Sequence, residues 1–308
     1  MENKIITLKG PTASGKTNHA SKLIKSYPLE IISVDSVMVY RGLDIGSAKP
    51  TSEELKLCPH HLIDVCEPTE NYSAGEFYQD AQQLIQSIIR RGKIPFLVGG
   101  TMMYFRVLER GISQLPSANP TVRNQIESEA AENGWAKLHQ KLQRIDPIAA
   151  NKIDPSDKQR IQRAIEVYRI TGMPISSFHD EHNKIMDYHS LDLSLVPSKR
   201  DILYDLIENR FDAMLDQGLV SEVGHLLSQD SLTSSHNSLR SVGYKQICEF
   251  IENKCTHDEA RANAIVATRR LAKRQLTWLR SDAGSLVFDP LHRGSEVDIA
   301  NKVSEFLN

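Results

Sequence analysis

Apolar positions in the first hundred residues fall into short runs separated by stretches of helical period. Ile5, Ile6 and Leu8 predict a first strand, and residues 15–26 a helix behind it. Glu30-Ile-Ile-Ser-Val-Asp35 is a second β-branched run, with Pro28 marking the turn before it. After Tyr72, Ser73 and Glu76 spell a capping box, Tyr72 and Phe77 suit a hydrophobic staple, and Phe77, Ala81, Leu84, Ile85 and Ile88 share one helix face. Gly92 ends that helix. Ile94-Pro-Phe-Leu-Val98 then reads as a buried strand running into Gly99-Gly100-Thr101. Strands alternating with helices predict an α/β fold with a mostly parallel sheet flanked by helices.

From Ser113 the pattern changes. Leu115-Pro-Ser-Ala-Asn-Pro120 resembles a linker, and the following stretch is charged and helical, with Val122, Ile126, Ala130, Trp135, Leu138 and Leu142 as its apolar positions. We expect an all-helical subdomain over 113–190, inserted into a core made of 1–112 and 191–308. Leu191, Leu193 and Leu195 alternate as a strand returning to the sheet. In the helix over 199–217, Leu203, Ile207, Arg210 and Met214 share a stripe. Arg210 there either snorkels to the edge or reaches inward to an anion.

Composition limits the possibilities. A chain of 308 residues with 40% hydrophobic content buries a sizeable core. No run approaches about 18 uninterrupted apolar residues, and Met1-Glu-Asn-Lys4 leads into the first strand without an apolar leader, so we expect a cytoplasmic protein. Cys58, Cys66, Cys248 and Cys255 match neither zinc spacing nor a small disulfide framework. They should be reduced. The formal charge of −2 advertises no nucleic acid globally, but it conceals local basic stretches. Arg261, Arg269, Arg270, Lys273, Arg274 and Arg280 lie on one helical segment without an intervening acid; Lys158, Arg160, Arg163 and Arg169 form a second group, offset by Asp157 and Glu166.

The strongest chemical signal is Gly10, Pro11, Thr12, Ala13, Ser14, Gly15, Lys16 and Thr17, which satisfies Gly-x4-Gly-Lys-[Ser/Thr] between a strand and a helix. Glycines let the backbone wrap an anion, amides and the helix start point at it, and Lys16 adds a full charge. Thr17 can reach a metal or a phosphate oxygen. Asp35 and Thr101 also follow strands, so all three features belong to the carboxyl edge, where open α/β sheets bind ligands. Asn151-Lys-Ile-Asp154 spells a guanine-specificity tetrapeptide, but it follows no strand and reads as accidental. His61-Leu-Ile-Asp64 is a weak candidate for a magnesium carboxylate, and the adjacent His60 and His61 read as loop residues. Residue types alone leave a small-molecule kinase or NTPase as the favourite, with a GTP-dependent RNA-binding switch behind it.

Seven motifs in order resemble the tRNA dimethylallyltransferase family, the isopentenyl-diphosphate:tRNA transferases of bacteria, over almost the whole chain. They are Gly10–Thr17, Ser33–Tyr40, Asp44–Pro50, Val98–Thr101, Gln159–Arg163, Ser241–Tyr244 and Lys273–Arg280. The resemblance implies a P-loop NTPase-like core and transfer of a dimethylallyl group to the exocyclic amine of adenine 37 in the tRNA anticodon stem-loop. It implies that the loop binds the diphosphate of dimethylallyl diphosphate with Arg210 and a magnesium ion (Mg2+) held partly by Thr17. Asp35 would be the general base, with Thr101 orienting it, and the protein a monomer. The tRNA contacts it implies are Asp35, Ser36, Val37, Met38, Thr101 and Arg123; Gln159, Arg160, Ile161, Gln162 and Arg163; Arg240, Ser241, Val242, Gly243, Tyr244 and Lys245; and Lys273, Arg274, Gln275, Leu276, Thr277, Trp278, Leu279 and Arg280. Many members carry Gln where this chain has Met38, so a polar readout by that residue is not implied.

Overall fold

The computed structural model describes residues 3–113, 115–178 and 188–308. In chain order it contains β1 (Lys4–Lys9), α1 (Lys16–Ser26), β2 (Leu29–Val34), α2 (Ser52–Leu57), β3 (His60–His61), α3 (Ala74–Arg90), β4 (Ile94–Gly99) and α4 (Met102–Arg110). Next come α5 (Pro120–Asn133), α6 (Trp135–Ile145), α7 (Pro147–Ala150) and α8 (Lys158–Thr171). The chain continues through β5 (His189–Leu195), α9 (Arg200–Asp216), α10 (Leu219–Leu227), α11 (Tyr244–Ile251), α12 (His257–Ser281), β6 (Leu286–Phe288) and α13 (Ser295–Leu307).

The six strands pair in the order β3-β2-β4-β1-β5-β6, every pairing parallel. Successive side chains on a strand point to opposite faces, which sorts the core into two layers. Ile6, Leu8, Ile31 and Phe96 pack with Ala20 and Leu23 of α1 and with Ile299 and Val303 of α13. Ile32, Val34 and Leu97 pack on the other face with Phe77, Ala81, Ile85 and Ile88 of α3 and with Phe105 of α4. The Ser73–Glu76 capping box starts α3 as its sequence specifies. A further cluster joins Val39, Tyr40 and Leu43 to α9, α10, α11 and α12.

Chain contacts divide the molecule into Met1–Leu108 with Met186–Asn308, and Glu109–Ile185. The second unit is helical and has its own core of Ile126, Ala130, Leu138, Leu142, Ile161, Ala164 and Ile165. The last part of the expected insertion, 179–187, lies outside the described residues. Asn151 follows α7, and Asp154 accepts the Ser156 amide at 2.8 Å, so the tetrapeptide is a turn among helices.

His60 and His61 correct the sequence reading. They form an edge strand, with Ile31 opposite His60 and Ile32 opposite His61. Two residues are too few to show a period. β6 and α13 were likewise not anticipated from the pattern, β6 being a three-residue edge run. All four cysteines are free thiols. Among the described residues no helix is long and apolar enough to cross a membrane.

Candidate active site

Three strand ends lie level in the sheet. Lys9 pairs with Gly99, and Val34 also pairs with Gly99. The loops that leave β1, β2 and β4 therefore emerge side by side, and they carry the phosphate loop, Asp35 and Thr101. Gly99 is required for this approach, because a Cβ there would meet the Val34 carbonyl oxygen at 2.0 Å. The Thr101 N–H donates to that same carbonyl at 3.2 Å.

The phosphate loop is folded around its own base. Ser14 Oγ and Lys16 Nζ both donate to the Pro11 carbonyl, at 2.8 and 2.6 Å. Ala13 and Gly15 have φ of 62° and 80°, left-handed geometry that turns successive amides inward as an anion nest. Gly15 suits it at no cost and Ala13 is strained. Gly10 and Pro11 lie below the nest and do not line the cavity, whereas Thr12 to Thr17 do. α1 starts here with no acidic residue in its first turn, leaving its N-terminus to an anion.

Across from the loop, Asp35 organises a turn. Its Oδ1 accepts the N–H of Val37 at 2.8 Å and of Met38 at 3.2 Å. Thr101 Oγ1 accepts the Ser36 N–H at 3.1 Å, tying this turn to the end of β4. Met38 receives the Ser33 hydroxyl on its sulfur at 3.8 Å.

The phosphate loop from Thr12 on, Asp35 and Thr101 border one cavity of about 750 Å³, whose lining also includes Arg210, Arg274 and Trp278. Arg210 does turn inward. Burial draws its guanidinium below the ordinary value while Asp35 pulls it back up. Lys16 is pushed down to about 7, chiefly by desolvation and then by Arg210, with Asp35 opposing. Two cations of one wall repel each other and both feel Asp35. A negative charge placed between them would relieve that repulsion.

The cavity wall at 46–50 is held from behind. Glu222 accepts the N–H groups of Asp44, Ile45 and Gly46 at 3.2, 2.7 and 3.3 Å, and the Tyr244 hydroxyl at 2.6 Å. Lys49, with only 4% of its side chain exposed, bridges Asp44 and Asp64, each at 2.6 Å. Asp64 is thereby paired with Lys49. No sequence signal marked Glu222.

The expected RNA contacts divide by burial. Val242, Gly243, Arg274, Gln275 and Trp278 line the cavity, and Arg240, Lys245, Lys273, Thr277 and Arg280 are exposed, with Ser241 half-buried. Tyr244, Leu276 and Leu279 face the core. Nor is the basic run on α12 uniformly free. Arg261 pairs with Asp212 and Glu208, and Arg269 with Glu208, acids on α9 that the local sequence could not reveal.

Within the helical unit, Gln159 and Arg160 are exposed and Ile161 is in the core. Arg123 and Arg163 both pair with Glu166, at 2.9 and 2.7 Å, and Gln162 donates to Glu127 at 2.9 Å. Glu166 is fully buried; burial opposes its charge, but the two arginines and the Asn119 amide outweigh that and hold its pKa low. Arg169 pairs with Glu129. Among the described residues no group of three or more His, Cys, Asp or Glu could hold a metal ion.

Residues 38–282 match the family model for IPP transferase. The chain is 48% identical to a tRNA dimethylallyltransferase of Coxiella burnetii, over 98% of this chain and 96% of that one. It is similar in structure to a full-length tRNA isopentenylpyrophosphate transferase of Bacillus halodurans, with a TM-score of 0.73 and 36% identity over 99% of this chain and 97% of that one. A eukaryotic dimethylallyltransferase solved acting on tRNA matches with a TM-score of 0.81 and 26% identity, over 99% and 79% of the two chains.

Proposed function

The chain belongs to the IPP transferase family, and from that membership we propose the reaction its site performs: transfer of a dimethylallyl group from dimethylallyl diphosphate to the exocyclic amine of the adenine next to the anticodon, at tRNA position 37. The observation that carries the chemistry is the placement of Asp35 opposite Lys16 and Arg210 around one cavity. A base and an anion site are what this transfer needs. The adenine amine is a poor nucleophile because its lone pair is delocalised into the ring. Its proton must leave as nitrogen bonds to C1 of the prenyl group, while the C1–O bond breaks and its electron pair departs on diphosphate.

Asp35 Oδ1 is committed to the Val37 and Met38 amides, so Oδ2 is the oxygen that takes the proton. Thr101, bonded to the Ser36 amide, sits where its hydroxyl orients the adenine and the base together. The nest amides, Lys16 and Arg210 meet the charge that grows on the diphosphate. A magnesium ion carried by the diphosphate would be held from the protein by the Thr17 hydroxyl, which lines the cavity. When bound it would neutralise diphosphate charge. The adenine must leave the anticodon-loop stack to enter, at a cost of a few kcal/mol. Exposed Lys273 and Arg274 on α12, and Arg160 in the helical unit, offer backbone grips that help offset it. We place this activity in a cytoplasmic monomer, consistent with four free thiols.

The experiment is a parallel incubation with labelled dimethylallyl diphosphate plus unmodified tRNA, and with ATP alone. Label in tRNA without ATP consumption supports the transfer. Steady ATP hydrolysis with no label in tRNA would make the loop an ordinary nucleotide site.

A further inference from the structure

One side chain bridges the two halves of the site. On α12, Gln275 Oε1 accepts the Thr12 N–H of the phosphate loop at 3.0 Å, and its Nε2 donates to the Gly100 carbonyl at 2.7 Å. Thr12 belongs to the diphosphate side, and Gly100 is bonded in sequence to Thr101 on the adenine side. Gln275 is only 9% exposed, and both bonds lie at the cavity wall. Its orientation is fixed: a flipped amide would set donor against donor at Thr12 and acceptor against acceptor at Gly100. Glutamate cannot donate, and asparagine is one methylene shorter.

The backbone is shaped to receive this amide. A Cβ on Gly100 would lie 2.7 Å from Gln275 Nε2 and 3.2 Å from the Gly10 carbonyl oxygen, so a side chain there would displace the amide from its bridging position. α12 is anchored independently nearby, because Lys9, which immediately precedes the loop, donates to Asp282 at the end of α12 at 2.9 Å. A helix pinned at its end presents Gln275 from a rigid base.

We infer that Gln275 is a positioning residue for the transfer: it sets the separation between the phosphate loop and the Thr101 turn, and so between diphosphate and acceptor amine, rather than contacting tRNA. This rests on the prenyl-transfer reading. Transfer requires nitrogen, C1 and the departing oxygen to be aligned, and small misplacements of such partners cost rate heavily.

The test compares wild type with Gln275→Ala, Gln275→Glu, Gly100→Ala and the double variant Gln275→Ala/Gly100→Ala. Single-turnover transfer should fall roughly tenfold or more in each single variant, while tRNA Kd stays within about twofold. Gln275→Glu keeps size and the acceptor for Thr12 but opposes Gly100, which separates loss of the bridge from loss of packing. Gly100→Ala should cost less in the Gln275→Ala background than alone, since its tightest collision is with the amide and only the 3.2 Å approach to the Gly10 carbonyl oxygen remains. Inorganic diphosphate binding, which needs no transfer, should weaken about fivefold in Gln275→Ala once Thr12 is released. If Gln275→Ala weakens tRNA binding but transfers at the wild-type rate on saturation, Gln275 is an RNA contact and the inference is overturned. Fully additive costs in the double variant, or unchanged diphosphate affinity, overturn it as well. Wild type that binds diphosphate with the expected Gln275 dependence but labels no tRNA would sink the prenyl-transfer reading alone.

Discussion

Asp35 Oδ1 accepts the backbone N–H of Val37 at 2.8 Å, so the carboxylate proposed as the base is also the keystone of a turn. The two roles separate by substitution. Asp35→Asn retains an acceptor for the Val37 and Met38 amides but cannot take a proton. It should lower the transfer rate by about 10² or more with melting temperature and tRNA affinity unchanged. Asp35→Ala should lose the rate and also about 1 kcal/mol of stability, read by denaturant melts. Full turnover in Asp35→Asn would remove Asp35 as the base.

Lys16 gives a pH dependence with a definite sign. Its pKa of about 7 in the empty site means that above neutrality the amine is largely uncharged before substrate arrives. Diphosphate favours the charged form, so binding draws a proton onto Lys16. At about pH 8, where dimethylallyl diphosphate, a diphosphate monoester, is already ionised, titration calorimetry with that ligand in two buffers of different ionisation enthalpy should show net proton uptake. Affinity should fall as pH rises through about 7 and beyond. Lys16→Ala should abolish the uptake; uptake that persists in that variant would place the proton elsewhere.

Tyr244 was implicated in RNA contact by its motif, yet it supports the cavity wall through Glu222. Burial, followed by the Glu222 carboxylate, raises its hydroxyl pKa, which keeps it a donor. Tyr244→Phe leaves the half-buried Glu222 carboxylate short of one partner. It should cost about 1 kcal/mol in chemical denaturation, with tRNA affinity within about twofold. A loss of tRNA affinity at unchanged stability would restore the contact role.

Charge pairing divides the α12 cations. Lys273 is exposed, whereas Arg261 bonds Asp212 at 2.6 Å and Glu208 at 3.0 Å. Lys273→Ala should weaken tRNA binding and reduce the slope of log K against log salt by about one, while Arg261→Ala should leave that slope unchanged. Equal slopes for both variants would mean that the ion pairs open on binding RNA.

The α/β core was legible because its chemistry is local. Ser73 with Glu76, the β-branched runs and the glycine loop each carry their geometry within a few residues, and seven ordered motifs tied them to a family. Arg210 was legible as an anomaly, a charge on an apolar stripe, though only the folded cavity shows where it turns. What escaped the sequence depends on distant partners. Glu222 meets the amides of 44–46 across 176 to 178 positions. Glu208 and Asp212 neutralise arginines 49 to 61 positions away. The Gln275 amide meets Thr12 and Gly100 across 263 and 175 positions. Strand β3 was missed because a two-residue pairing on a sheet edge leaves no period.

The most direct measurement is to incubate the protein with labelled dimethylallyl diphosphate and either of two tRNAs, identical except for adenine or guanine at position 37, then digest and analyse the nucleosides. We expect label in the first tRNA alone, on the exocyclic nitrogen of that adenosine. Label in both tRNAs, or in neither while ATP is hydrolysed, would contradict prenyl transfer to that amine.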